Sequence, residues 1–176
     1  MRCRPQGVTL RIALGLALAC VLASCASDEK KPPPDPGVGA EMRPTAGSSI
    51  HGRVTFQPYD GGVAIAVSIW LGNPGSMRVV IHSTGVCTSP NGFSAGPPWI
   101  PPGASEPVVI RIFASDNQYG TTTVRLPNLK VDGPDGIRGK SVVVHQGTGS
   151  LDAQPDAPNN RLACGVIEAN KPLRFE

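Results

Sequence analysis

Residues 52–57 (GRVTFQ), the turn Pro58-Tyr59-Asp60-Gly61-Gly62 and residues 63–71 (VAIAVSIWL) read as one unit. On each side of the turn apolar and polar side chains alternate, the period of a strand with one buried face. The Gly-rich turn between them joins two antiparallel strands, so the unit is a β-hairpin. Working outward, Asn73-Pro74-Gly75 turns the chain before residues 77–82 (MRVVIH). Residues 108–113 (VVIRIF), 121–126 (TTTVRL) and 140–145 (KSVVVH) are further short runs rich in β-branched side chains. Pro101-Pro102-Gly103, Gln118-Tyr119-Gly120 and residues 132–136 (DGPDG) punctuate them. No window carries the apolar period of a helix. About six to eight short strands predict an all-β sandwich or small barrel.

Composition agrees with that class. The chain has 19 Pro and 21 Gly in 176 residues, yet only 16% are charged and 40% are hydrophobic, which suits strands and turns and excludes disorder throughout. Three of the 16 basic residues, Arg2, Arg4 and Arg11, lie in a leader, so the remainder balances the 13 acids. A neutral body without Lys/Arg clusters argues against nucleic acid as a partner.

The leader is basic at its start and apolar over residues 12–23 (IALGLALACVLA). That run is too short to span a bilayer and has the layout of a secretory signal. It ends in Leu22-Ala23-Ser24-Cys25, which resembles the bacterial lipobox and marks Cys25 as a lipidation site; an ordinary signal peptide is the alternative. Residues 1–24 are accordingly expected to be a lipoprotein signal peptide. Residues 25–47, with Pro32-Pro33-Pro34 and no apolar period, are expected to be the lipidated Cys and a semi-rigid tether. The domain is expected over 48–176. Acyl chains on Cys25 attach the chain to a membrane on the periplasmic side of the envelope. Ala26 and Ser27 lack an acidic inner-membrane retention signal, which favours an outer membrane where one exists.

Of five cysteines, Cys3 and Cys20 belong to the leader, leaving Cys87 and Cys164 in the body. In an oxidising envelope they form either a disulfide or two separate buried thiols.

Residues 161–167 (RLACGVI) resemble the C-terminal signature of copper/zinc superoxide dismutases. Three more segments follow that family in order: Gly85-Val86-Cys87 with Phe93-Ser94-Ala95-Gly96, Arg125-Leu126-Pro127-Asn128-Leu129, and residues 139–145 (GKSVVVH). The resemblance implies a superoxide dismutase-like Greek-key β-barrel of about eight strands, and a disulfide between Cys87 and Cys164. It also implies that Arg161 guides superoxide toward copper. The metal positions depart from the family. Its H-x-H pair falls on Val80 and His82, its bridging His on Pro98, and its last copper ligand on His145. The Asp of its zinc site falls on Arg125, and residues 103–124 hold no histidine, so no zinc is expected.

His82 and His145 thus stand as vestigial copper ligands, while His51, before the first strand, is not expected to join them. Two imidazoles hold copper more weakly than three or four do. The function expected is an envelope lipoprotein with a catalytically impaired dismutase-like domain and possible residual copper binding. The alternative is an active copper-dependent dismutase, turning superoxide into oxygen and hydrogen peroxide, which would need ligands from a partner chain. A protein partner or homodimer is allowed for by Trp99 and Ile100, which mark a contact surface or cap the former cavity.

Overall fold

The computed structural model describes residues 37–114, 118–147, 151 and 160–170. Among these described residues nine strands follow in chain order: β1 (Val38–Pro44), β2 (His51–Tyr59), β3 (Gly62–Trp70), β4 (Gly75–His82), β5 (Val109–Ala114), β6 (Tyr119–Pro127), β7 (Ser141–Gln146), β8 (Arg161–Val166) and the two-residue β9 (Glu168–Ala169). A short 3-10 turn, Phe93–Ala95, is the one helical element among the described residues. The order β5-β4-β7-β8-β1-β2-β3-β6 is antiparallel throughout, with β9 added to β1. The end strands β5 and β6 approach each other without a ladder, so the sheet rolls into a nearly closed eight-stranded barrel. This is the all-β Greek-key architecture expected from the sequence.

The hairpin read first is β2–β3, in register from His51 opposite Trp70 to Tyr59 opposite Gly62. Its inward residues Val54, Phe56, Val63, Ile65, Val67 and Ile69 are all 3% exposed or less. They pack on Val79 and Ile81 of β4, Ile110 and Ile112 of β5, and Val142 and Val144 of β7 in one continuous core. Alternation along each strand therefore carries the fold: one set of side chains fills the barrel, and the other lies on its outer surface.

The expected domain boundary needs correction. Residues 38–44, placed in the tether, form β1, which pairs with β2 along five positions and with β8 at Arg43–Cys164 and Pro44–Ala163. Val38, Ala40 and Met42 are buried to within 1%. The alternation is there, but interleaved Gly39 and a bounding proline dilute its apolar signal. Gly165 of β8 shows how tightly β1 lies: a Cβ there would strike the Glu41 carbonyl oxygen and come within 3.0 Å of Met42 Sδ. Residues 1–36, which hold the leader, Cys25 and the first part of the expected tether, lie outside the described residues.

Cys87 and Cys164 are bonded, with Cα atoms 5.7 Å apart across 77 positions of sequence. The disulfide ties the loop after β4 to the middle of β8, beside Ala95 and Val143.

Candidate metal centre

The site lies on the outer face of the β4–β7 ladder. His82 ends β4, where Ser141 is its partner, and His145 faces Arg78 four positions back along β4. Between them Val80 and Val143 stand opposite one another, both fully buried. The two histidines lean toward each other over this valine floor. Their Nε2 atoms are 2.9 Å apart, and neither ring has any solvent exposure. The ring centroids are 5.1 Å apart with planes 16° from parallel. Centroids spaced more widely than the nitrogens by about one ring width mean rings meeting end to end, as an N–H···N bond requires.

The loop after β4 fixes the tautomers. His82 Nδ1 is 2.8 Å from the Gly96 carbonyl oxygen, which only accepts, so Nδ1 carries the His82 proton and Nε2 its lone pair. His145 Nε2 is then the donor to His82 Nε2. The same Gly96 oxygen accepts from Arg161 Nη1 at 3.0 Å, and the Gly92 oxygen accepts from it at 3.1 Å. The Arg161 guanidinium lies 4.5 Å from the centre of the Phe93 ring. Thr45 at the end of β1 donates its hydroxyl to the Arg161 carbonyl, 2.6 Å away. Both the loop and Arg161, 3% exposed, are thereby held against the histidine pair.

The electrostatics keep His145 neutral. Its pKa falls from the usual 6.5 to about 3, chiefly because burial disfavours the imidazolium, with His82, Arg161 and Arg78 adding unfavourable charge. Asn160 works weakly in the opposite direction from beside the ring.

The four positions that the resemblance equates with copper ligands come together here. Val80, His82 and His145 are those just described, and Pro98 forms an isolated antiparallel bridge with His82. Only two of the four carry a nitrogen that binds a metal. Among the described residues no group of three or more His, Cys, Asp or Glu side chains is placed to hold a metal ion. The side chains present therefore do not fit a three- or four-ligand copper centre, and the two Nε2 atoms that would face such an ion bond to each other.

Arg125 is the residue that the resemblance sets at the family's zinc Asp. It lies on the exposed face of β6, opposite Ala64 of β3, and the intervening strand β5 separates it from β4. A charge on that face, screened by water, does not govern the histidine pair. His51 is exposed on β2, its Nδ1 2.9 Å from the Ser49 carbonyl and its ring 5.0 Å from that of Trp70. Trp99 packs on the core with Lys140 Nζ 4.9 Å from its ring, whereas Ile100 is 48% exposed.

Sequence reading missed Gly96, Phe93 and Asn160 as site residues. The SAG segment hinted at Gly96, but a carbonyl acceptor leaves no mark in residue type. Arg78, two residues before Val80, was equally legible as a charge within an apolar strand, and only the register puts it beside His145.

No curated protein matches the chain. The profile of the copper/zinc superoxide dismutase family matches residues 50–167, from the residue before β2 to the residue after β8. That span holds both histidines, both bonded cysteines and Arg161, and it exceeds half of the sequence. With the barrel order and the converging ligand positions, the match makes this chain a member of the copper/zinc superoxide dismutase family.

Proposed function

We propose that this chain is a dismutase-fold lipoprotein of the cell envelope that does not turn over superoxide at useful rates. The single observation that carries the reading is the Nε2–H···Nε2 bond of 2.9 Å between His82 and His145, with Val80 and Pro98 at the two remaining ligand positions. Dismutation needs a redox metal held through two oxidation states and a proton relayed to the departing peroxide. Val80 removes an equatorial donor, and Pro98 has no atom to bridge a metal or pass a proton. The pair then acts structurally: one shared hydrogen satisfies the two buried Nε2 atoms, which would otherwise be costly to bury.

A second reading is residual copper binding. What favours it is the His82 Nδ1 bond to Gly96, an outer-shell contact of the kind that fixes a ligand imidazole with Nε2 toward a metal. Copper would have to displace the proton shared by the pair, and two nitrogens with water give a weak site. Arg161 keeps a place beside the pair, where it would draw superoxide if a copper were held. No zinc is expected, on the ground that residues 103–124 hold no histidine.

The membrane reading rests on the sequence of the leader: a lipid on Cys25 would leave the domain on a tether of about a dozen residues, on the periplasmic side.

Copper titration of chelator-treated protein, followed by electron paramagnetic resonance and superoxide decay, tests the function. The expected result is no stoichiometric tight Cu(II) signal and superoxide decay no faster than the metal-free control. Tight copper abolished by both His82→Ala and His145→Ala establishes the second reading, and copper-dependent decay near diffusion control overturns the proposal. Labelled fatty-acid incorporation persisting in Cys25→Ala overturns the anchor.

A further inference from the structure

A cavity of about 470 Å³ opens on the outer surface where β1 meets β8, and both cysteines of the disulfide line it. Its volume is that of a small-molecule site. The wall formed by the loop after β4 is tied down. The Ala46 amide donates to the Pro90 carbonyl at 2.7 Å, and the Ser89 and Ser94 hydroxyls are 3.0 Å apart. The cavity therefore stands preformed.

Charge is ordered along it. Arg43 of β1 is the ladder partner of Cys164, so the two side chains share one face of the sheet. Arg43 is exposed and makes no ion pair among the described residues. Glu41 lies two residues back along β1, about 7 Å away at the rise of a strand. Glu168 pairs with Gly39, two residues further still. One end of the cavity thus holds a guanidinium beside the disulfide, and the other holds two carboxylates. Cys164 is 4% exposed whereas Cys87 is half-buried, so Cys87 is the more accessible partner of the bridge.

We propose that this cavity binds a low-molecular-weight thiol of the amino-acid class, such as a short cysteine peptide, and exchanges it with the Cys87–Cys164 disulfide. Arg43 takes the carboxylate on its parallel N–H donors, and the acidic end suits the ammonium. The thiol gives its proton to water, and the thiolate attacks Cys87 Sγ. A bond forms between the ligand sulfur and Cys87, the Cys87–Cys164 bond breaks, and its electron pair leaves on Cys164 as a thiolate. The ligand sulfur is oxidised and Cys164 reduced, with no outside oxidant. A sulfur of lower pKa leaves faster, and a guanidinium beside Cys164 stabilises its thiolate. Arg43 therefore serves twice, as anchor for the ligand and as support for the leaving group. The exchange is independent of any metal at His82 and His145.

The test uses the oxidised full-length protein without denaturant. Glutathione, which carries carboxylates and an ammonium, is compared with 2-mercaptoethanol, which carries neither. Rates are expressed per thiolate and normalised to the same thiol acting on an open-chain disulfide peptide. Iodoacetamide stops the reaction, and peptide mapping separates Cys87 and Cys164 from Cys3, Cys20 and Cys25. The expected product carries glutathione on Cys87 and the alkyl group on Cys164. Its rate should rise with thiol concentration and exceed that of 2-mercaptoethanol by about threefold to tenfold. Arg43→Gln, a surface change, should slow glutathione by a similar factor and erase its advantage, while Arg125→Gln on the exposed face of β6 keeps it. The proposal is overturned by a rate independent of thiol concentration, which would mean that opening of the fold limits it. Glutathione found on Cys164 in place of Cys87, equal normalised rates for the two thiols, or an Arg43→Gln protein that reacts as the unaltered one does would each overturn it as well.

Discussion

Acid should destabilise this barrel through one side chain. The folded-state pKa of His145 is about 3, against 6.5 for an unburied imidazole. Because the folded value is the lower one, the unfolded chain takes up the proton first as pH falls. The contribution of a neutral His145 is therefore complete above about pH 6.5 and is lost progressively down to about pH 3. At about 1.4 kcal/mol for each tenfold difference in proton affinity, the ceiling is roughly 5 kcal/mol, and the loss between pH 7 and pH 4.5 is about 2 to 3 kcal/mol. For a domain of this size that corresponds to roughly 10 °C in melting temperature. Urea midpoints of chelator-treated protein, measured against pH, are compared with those of His145→Gln, which keeps a polar side chain but cannot take up the proton. Carboxylates contribute equally to both proteins, so the difference isolates His145. The wild-type curve should fall away from the variant below pH 6.5 by about 2 kcal/mol or more. Parallel curves, or a ring that titrates near 6.5 by NMR while the domain stays folded, would refute the sealed pair.

Three further outcomes follow from the packing. Cys87→Ser should lower stability by about 4 kcal/mol in the chain-entropy account, read as the shift in urea midpoint relative to the oxidised protein. Met42→Ala should cost about 2 to 5 kcal/mol because the side chain is 1% exposed in the core; a change under about 0.5 kcal/mol would return residues 38–44 to the tether. The double change Val80→His with Pro98→His places four imidazoles around one point, and it should create stoichiometric Cu(II) binding that is visible by electron paramagnetic resonance and absent from the unaltered protein.

Six of the strands were legible, β2 and β3 by their alternation and the others as short runs rich in β-branched side chains between turn signals. β1 and β8 were not. β1 alternates Val38, Ala40 and Met42 with glycine and charge, so its burial depends on closing against β8, a contact that sequence cannot display. In β8 the alternation is broken where the β7–β8 register shifts at Val144/His145. The converging positions 80, 82, 98 and 145 were readable by alignment. The bond between the two histidines was not, since it depends on side chains leaning across a valine floor. The RLPNL segment left the strand end unread, and β6 carries Arg125 on its solvent face.

The pairing of β1 with β8 also sets the order of events in folding. The first strand of the barrel waits for a partner made more than a hundred residues later, and the disulfide to Cys164 cannot form any sooner. Until then β1 has β2 on one side and an open edge on the other, the kind of edge that captures strands from other chains. So non-local a topology folds slowly, on the scale of milliseconds to seconds. A nascent chain emerging N-terminus first therefore spends its whole synthesis with an unclosed barrel, and its yield depends on whatever shields that edge before the last strand arrives.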